Sequence, residues 1–363
     1  MSLTNLDERA ISARRIDAET WRSDVGAAPF HTPLAVQVPF HTLPADADHD
    51  RLVAFRTRDG WQLLTGGRAV ELTHGAALWK NLDVTDAGAD AMPLISRLWR
   101  RPKREEGCRA PNTFVLGAGK CGTTSLHAIL RQHPDIHASP VKEPTFFCDS
   151  FQLIRDPLEY FRQFNSPAPV RLESSHAYLT NPGTAETLRT LFPDAKFILI
   201  LRAPKNRAYS LWRHMRRLKH EIDRLPYEDI PDFATALKTE PERFASRAFA
   251  ENCRQYFWNF LYCRSSFYDE QIERYFALFN RSQFHVLSLA ELSSAPVETT
   301  QEIMRFLNLD PAPVKHFDFQ AKNRTRTPYR SYCDESDKVM SAAFEGLTDR
   351  TDRVVGRRLD WST

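Results

Sequence analysis

A loop of small residues with one lysine carries the clearest chemical signal in this chain. In the stretch NTFVLGAGKCGTTSLHAIL, residues 112–130, a buried strand is predicted to end at Gly117 and a helix to begin at Gly122. Glycine lets the backbone turn tightly, and the first turn of a helix presents unpaired N–H groups and a positive dipole end. Lys120 adds a full positive charge. The loop is therefore predicted to bind an anion with several oxygens, such as a phosphate or a sulfate ester.

The position of the lysine separates this loop from that of nucleoside-triphosphate enzymes. Their motif is GxxxxGK[ST], in which the lysine directly follows the second glycine. Here Thr123 follows Gly122, and Lys120 stands two positions before that glycine. Such enzymes also need a carboxylate for Mg²⁺ near a second strand, where this chain has Arg202 after KFILIL. A metal-free anion site is favoured.

Two segments together resemble the sulfotransferases that use 3′-phosphoadenosine 5′-phosphosulfate (PAPS). GAGKCGTT, residues 117–124, resembles their phosphosulfate loop, and ILRAPKNRAYSLWRH, residues 200–214, resembles their signature R-x-P-x-x-R-A-x-S. The resemblance is to the carbohydrate-type and bacterial members and extends over residues 111–363. It implies that Arg202 and Ser210 hold the 3′-phosphate, as suits a planar fork of donors and a short hydroxyl. Arg207 is expected to brace the turn.

The resemblance also implies the co-substrate and its contacts. PAPS would donate the sulfuryl group, without a metal, and Lys120 would stabilise charge on the leaving phosphate oxygen. Arg324 lies in FQAKNRTRTPYRSY, residues 319–332, where the family often has glycines that cover the adenine and this chain has none. It either reaches the nucleotide or faces solvent. The implied nucleotide-binding residues are Gly119, Lys120, Cys121, Gly122, Thr123, Thr124, Ser125, Arg202, Ser210 and Arg324.

Two residues compete for the role of the base that accepts the acceptor's proton. PVKEPTFFCD, residues 140–149, resembles the glycan sulfotransferase segment whose glutamate is the base, so the resemblance assigns this role to Glu143. His176 stands roughly where the sulfotransferases of small phenols and steroids carry a catalytic histidine. A histidine accepts protons near neutral pH with little adjustment of its pKa. We expect Glu143 to be the base and His176 to assist.

Two further sets of residues bear on the acceptor. A basic face on the second helix suits an anionic acceptor or is simply solvated; it comprises Arg213, Arg216, Arg217 and His220. An aromatic cluster either lines an acceptor cleft or packs in the core; it comprises Tyr256, Phe257, Trp258, Phe260 and Tyr262. The acceptor itself, whether saccharide, small natural product or peptide, stays open.

The elements that must position these residues alternate between strands and helices. The pattern predicts buried strands at 113–117, 196–202 and 283–292 (the last with a turn), and helices at 123–133 and 204–220. Apolar runs of this length, separated by helices, are typical of a parallel sheet covered on both faces. The expected fold is α/β, a P-loop-like parallel sheet flanked by helices, over residues 108–363.

A small α+β module is predicted ahead of this domain, at residues 31–107 including a linker, after a lead-in at 1–30. Residues 52–72 contain two β-rich runs broken at Asp59-Gly60 and Gly66-Gly67, and helical periodicity follows. The segment is similar to the winged-helix fold of PqqD-like proteins, which recognise leader peptides. The resemblance implies a peptide partner that binds through residues 31–100.

Composition excludes several classes. The chain has 363 residues, a net charge of 49 − 46 = +3, and 42% hydrophobic residues, which argues against disordered and nucleic-acid-binding proteins. No apolar run approaches a membrane span, the opening residues lack a signal-peptide core, and six scattered cysteines suit a reducing compartment. We expect a cytoplasmic enzyme without membrane partners. The alternatives are a Mg-ATP-dependent small-molecule kinase and a degenerate, peptide-binding sulfotransferase fold.

Overall fold

The chain folds into two compact units that alternate along the sequence. A computed structural model describes residues 20–21, 38–39, 53–57, 60–65, 68–72, 109–148, 151–154, 157–221, 228–253, 256–320 and 332–362. The first unit comprises Met1–Ala110, Pro144–Ser166 and Asn181–Pro193. The second unit comprises Pro111–Glu143, Pro167–Thr180 and Asp194–Thr363.

The described strands and helices are numbered in chain order. The strands are β1 (Thr20–Trp21), β2 (Val38–Pro39), β3 (Val53–Thr57), β4 (Gly60–Thr65), β5 (Arg68–Leu72), β6 (Thr113–Gly117), β7 (Ile136–Ala138), β8 (Val170–Ser174), β9 (Lys196–Leu201) and β10 (Phe284–Ser288). The helices are α1 (Thr123–Leu130), α2 (Pro157–Arg162), α3 (Ala177–Thr180), α4 (Thr184–Leu191), α5 (Pro204–Glu221), α6 (Phe233–Lys238), α7 (Glu240–Ala245), α8 (Arg247–Asn252), α9 (Tyr268–Phe276), α10 (Leu289–Ser294), α11 (Pro296–Leu307), α12 (Asp334–Ala343) and α13 (Leu347–Val355). Short 3₁₀ helices span Phe257–Phe260, Arg264–Ser266, Arg281–Gln283 and Ala312–His316.

The first unit contains two small antiparallel sheets and a group of aromatic rings packed around Phe146 and Tyr160. β1 pairs with β2, and β3, β4 and β5 form a three-stranded meander, so the breaks predicted in residues 52–72 separate three strands rather than two. Phe146 stacks on Tyr160 with ring centroids 4.3 Å apart, and neighbouring rings pack edge-on around this pair. The helices predicted after residue 72 of the N-terminal module lie outside the described residues.

The second unit is built on a five-stranded parallel sheet. The strand order is β10-β9-β6-β8-β7, and every neighbouring pair is parallel. Phe114, Phe197 and Phe284 lie side by side on the three adjacent strands β6, β9 and β10, with ring centroids 5.9 and 4.9 Å apart. Such cross-strand aromatic pairs stabilise the register of a buried sheet. The predicted α/β fold with a parallel sheet is confirmed.

Sequence patterns found the central strands and missed two others. The predicted strands at 113–117 and 196–202 and the helices at 123–133 and 204–220 are confirmed within a few residues. β7 has only three residues, and β8 alternates apolar with charged side chains, so neither produces a continuous apolar run. Within the described ranges, none of the helices combines the length and apolar character that a membrane crossing requires.

Candidate active site

The phosphate loop, residues 117–124, lies between β6 and α1 at the carboxyl end of the sheet. Gly122 precedes α1 with φ 94°, a conformation that favours glycine, and a Cβ there would lie 2.8 Å from Leu289 Cδ1. The first turn of α1 has no acidic residue and no side-chain cap on its N–H groups. The main chain of the loop is tied to the sheet, since Ala118 N donates to Ile200 O at 2.8 Å. The loop therefore has the backbone arrangement of an anion site.

Arg207 braces the phosphate loop from inside the protein. Its side chain is 2% exposed, and its Nε donates to Gly119 O at 3.0 Å. Its Nη1 donates to the hydroxyls of Ser265 and Ser266 at 2.6 and 2.8 Å, and lies 3.5 Å from Tyr262 O. The guanidinium thus joins α5, the phosphate loop and the 262–266 turn.

Tyr268 links the two motifs that the sequence singled out. Its Oη donates to Arg202 O at 3.0 Å and lies 3.6 Å from Cys121 Sγ. Arg202 directly follows β9, and Ser210 lies in the second turn of α5. Cys121 is fully buried, and this burial raises the pKa of its thiol. The thiol is a packing and hydrogen-bonding group within the loop.

Several cations converge on Lys120. Burial lowers the pKa of Lys120 to about 8, and the positive charges of Arg217 and Arg202 contribute to that decrease. Arg217 Nη2 donates to His214 Nδ1 at 3.2 Å. Burial, together with the charge of Lys120, lowers the pKa of His214 to about 3, so this imidazole is neutral at physiological pH. A convergence of positive charge around a buried amine favours binding of an anion.

Glu143 and His176 form a hydrogen-bonded pair. Glu143 Oε2 accepts from both the backbone N and the Nδ1 of His176, each at 2.7 Å. Its Oε1 accepts from Lys142 Nζ. Burial alone would raise the pKa of Glu143, but the charges and hydrogen bonds of His176 and Lys142 lower it to about 2. The carboxylate is therefore ionised, and both of its oxygens have donors.

The main chain at the end of β8 fixes this pair. Glu143 N donates to Ser174 O at 2.9 Å, and Ser174 Oγ is 2.8 Å from Nδ1 of the buried His127. Burial lowers the pKa of His127 to about 4, which keeps it neutral. The imidazole of His176 also lies against the phosphate loop, because a Cβ on Gly119 would be 2.6 Å from His176 Cδ2. The pair and the loop are thus in contact.

The remaining residues that the sequence singled out have different surroundings in the structure. Arg216 of the predicted basic face donates to the carbonyls of Glu228 and Asp229, each at 3.0 Å. The charge of Arg217 instead lowers the pKa of Lys120. All five residues of the aromatic cluster are at most 8% exposed, so they pack in the core. Thr123 is buried, and Thr124 and Ser125 are half-buried in the first turn of α1. Arg324 and the side chain of His220 lie outside the described residues.

Sequence reasoning did not name His214 or Tyr268, and it placed Arg217 on a basic face for the acceptor rather than near Lys120. His214 and Arg217 lie four and seven residues after Ser210, so helical spacing from that serine is the signal that identifies them. Tyr268 and the serine pair before it come from a distant segment and carry no comparable signal. Among the described residues, no group of three or more His, Cys, Asp or Glu is arranged to hold a metal ion.

Comparisons with known proteins converge on one family. Residues 110–344 match the family model described as "Sulfotransferase domain". The chain is 27% identical over 222 residues to bifunctional heparan sulfate N-deacetylase/N-sulfotransferase 1 of Xenopus tropicalis, covering 59% of this chain and 24% of the relative. It is 24% identical over 204 residues to heparan sulfate glucosamine 3-O-sulfotransferase 5 of Homo sapiens, covering 55% and 54%. The chain thus spans between about a quarter and half the length of these relatives.

A solved structure is similar over most of its length. The sulfotransferase from Alicyclobacillus acidocaldarius is 28% identical to this chain, with a TM-score of 0.56. The match covers 69% of this chain and 97% of that one. The shared part therefore corresponds to a nearly complete sulfotransferase fold.

Proposed function

The chain belongs to the sulfotransferase domain family, and on that premise we propose that it transfers a sulfuryl group from PAPS to a hydroxyl or amine of an acceptor. The observation that carries the proposal is the phosphate loop, in which Lys120 stands between Gly119 and the N-terminus of α1 and is surrounded by further cations. In the reaction, the acceptor oxygen or nitrogen bonds to sulfur and the bridging S–O bond breaks. Its electron pair stays on the 5′-phosphate oxygen of adenosine 3′,5′-bisphosphate, and the acceptor's proton passes to a base.

The residues present suit a nucleotide with phosphate groups at both ends of the ribose. Loop amides and Lys120 would hold the phosphosulfate, and Arg202 and Ser210 would hold the 3′-phosphate. Tyr268 supports this division, because it hydrogen-bonds to Arg202 O and contacts Cys121 of the loop. The loop residues assigned to PAPS are Gly119, Lys120, Cys121, Gly122, Thr123, Thr124 and Ser125.

We assign the proton acceptor to Nε2 of His176 and the positioning role to Glu143. This reverses the preference drawn from sequence. The Nδ1 atom of His176 donates to Glu143 Oε2, so the proton of a neutral imidazole is on Nδ1 and Nε2 has a free electron pair. Glu143 is a weak base, because both of its oxygens accept hydrogen bonds, from His176 and from Lys142, and these bonds lower its pKa. A carboxylate that orients an imidazole is a recurrent arrangement in proton transfer.

Lys120 and His214 act on the leaving side of the reaction. Protonated Lys120 stabilises the negative charge that grows on the bridging oxygen as the S–O bond lengthens. Because Arg217 donates to His214 Nδ1, the proton of the neutral His214 is on Nε2, which makes that atom a hydrogen-bond donor. Lys120 thus supplies a positive charge and His214 supplies a hydrogen-bond donor, and neither role needs a metal ion.

A saccharide is the first acceptor class to test. The curated relatives named above carry heparan sulfate in their names, and the cations around Lys120 suit an anionic chain. A small natural product is the second class, and a peptide delivered through residues 31–100 is the third.

We also propose a cytoplasmic location. None of the five cysteines in the described part of the chain forms a disulfide, which supports this location.

The proposal is tested first by calorimetric titration with adenosine 3′,5′-bisphosphate, run beside ATP with Mg²⁺. We expect micromolar binding of the bisphosphate, lost in Arg202→Ala, and no binding of Mg-ATP. Binding of Mg-ATP alone would replace the proposal with a kinase, and binding of neither would favour the degenerate peptide-binding fold. Transfer of ³⁵S from labelled PAPS to de-N-sulfated heparan sulfate, a phenol and a peptide then distinguishes the acceptor classes.

A further inference from the structure

Glu240 is a buried carboxylate that the proposed reaction does not use. It lies in the first turn of α7 and is 5% exposed. Its Oε2 accepts from Cys263 N at 2.8 Å, and its Oε1 accepts from Arg264 N at 2.5 Å. A buried carboxylate is costly unless its oxygens are satisfied, and here the donors are backbone amides of a single turn. Glu240 therefore fixes the main chain of that turn.

The same turn holds Arg207, which holds the phosphate loop. Ser265 and Ser266 follow directly after the two amides that Glu240 binds, and their hydroxyls accept from Arg207 Nη1. Arg207 Nε then donates to Gly119 O. A continuous series of hydrogen bonds thus runs from Glu240 through the turn and Arg207 to the loop.

The charge of Arg207 also acts on Glu240. In the part of the chain that the structure describes, Arg207 forms no ion pair, and its partners are a carbonyl and two hydroxyls beside the more distant Tyr262 O. Burial raises the pKa of Glu240 to about 7, and the backbone hydrogen bonds from the turn, followed by the charge of Arg207, oppose that rise. A buried guanidinium without an opposite charge in its surroundings is strongly disfavoured.

We propose that Glu240 is a positioning residue for nucleotide binding, which holds the 262–266 turn so that Arg207 keeps the phosphate loop in its anion-binding conformation. The inference rests on the proposed function, since it concerns the same loop. Glu240 itself touches neither the loop nor the cation cluster around Lys120 in any contact of the described residues. Its effect on the nucleotide is transmitted through the serine pair.

The test is the affinity for adenosine 3′,5′-bisphosphate, measured by calorimetry for every variant at one fixed pH slightly above neutrality. Glu240→Gln has the same size but sets an amide N–H₂ against one of the two backbone donors. We expect its Kd to rise at least about tenfold, which corresponds to ~1.4 kcal/mol. Glu242→Gln, an exposed carboxylate of the same helix, is the matched control and should bind as the wild type does.

A mutant cycle distinguishes a positioning role of Glu240 from a general contribution of Glu240 to the stability of the fold. Ser265→Ala with Ser266→Ala should also raise the Kd, and adding Glu240→Gln to that pair should raise it little further, because both changes interrupt one series of contacts. Wild-type affinity in folded Glu240→Gln, or effects that multiply in the triple variant, would overturn the inference. If Glu240→Gln does not fold, wild-type affinity in the serine variant overturns it instead. If the wild-type protein itself fails to bind the bisphosphate, the proposed function has failed, which is a different outcome.

Discussion

The carboxylate of Glu143 accepts two hydrogen bonds from a single residue, His176, through one oxygen. The backbone N and the Nδ1 of His176 both lie 2.7 Å from Oε2. The ring is thereby held in one orientation, with Nε2 on the side away from the carboxylate. A contact that fixes the orientation and the tautomer of an imidazole has direct consequences for proton transfer.

The roles of His176 and Glu143 are separable by mutation. His176→Ala should lower the transfer rate at saturating PAPS by about 10²- to 10⁴-fold, the usual contribution of a general base, and leave bisphosphate affinity intact. Glu143→Gln should lower the rate less, since the imidazole remains. Initial rates of ³⁵S transfer to the best acceptor among the three classes measure both variants.

Chemical rescue is the control for this assignment. Added imidazole should restore part of the activity of His176→Ala and have no effect on Glu143→Gln. A larger loss in Glu143→Gln than in His176→Ala, without rescue of the latter, would return the role of base to Glu143.

Gly119 is expected to tolerate no side chain while His176 is present. A Cβ at Gly119 would lie 2.6 Å from His176 Cδ2, which is closer than two non-bonded carbon atoms approach without a shift of one of them. Gly119→Ala should therefore destabilise the fold by about 1–3 kcal/mol, as overpacking does. Urea denaturation measures the loss.

The same substitution in the His176→Ala background is the matched control. With the ring removed, the added methyl group meets no imidazole, so Gly119→Ala should cost much less stability there. Equal costs in the two backgrounds would show that the ring does not limit this position.

Bisphosphate binding should weaken above about pH 8. The pKa of Lys120 is lowered to about 8 by burial and by the charges of Arg217 and Arg202, so the amine loses its charge as the pH rises through that value. Calorimetric affinities at a series of pH values should fall on the alkaline side. Arg217→Gln removes one repelling charge, which raises the pKa of Lys120 and moves the fall to higher pH.

Lys120→Arg is the control for the pH profile. A guanidinium stays protonated over the whole range, so this variant should bind with an affinity that does not fall near pH 8. A profile in Lys120→Arg that matches the wild-type profile would assign the titration to another group.

Much of the fold and part of the site follow from local sequence. β6 and β9 are continuous apolar runs, and α1 and α5 have helical periodicity, so their assignment needs no tertiary information. β8 has no such apolar run because Arg171 and Glu173 interrupt it, although Glu173 is fully buried. The basic face of α5 was predicted as a unit, yet Arg216 binds carbonyls near residue 228 while Arg217 lies near Lys120. Periodicity shows that residues share a face, not what that face meets.

The sequence by itself determined the glycine-lysine loop between β6 and α1, the second motif and the central strands β6 and β9, because each depends on residues that are neighbours in the chain. Glycine spacing, a lysine beside a helix start and an arginine after a strand are local features. Only the tertiary structure decided that His176, 33 residues after Glu143, is oriented by its carboxylate, and that Tyr268, 147 residues after Cys121, contacts the loop. These contacts depend on how the helices and turns pack on the sheet, which the order of the residues alone does not specify.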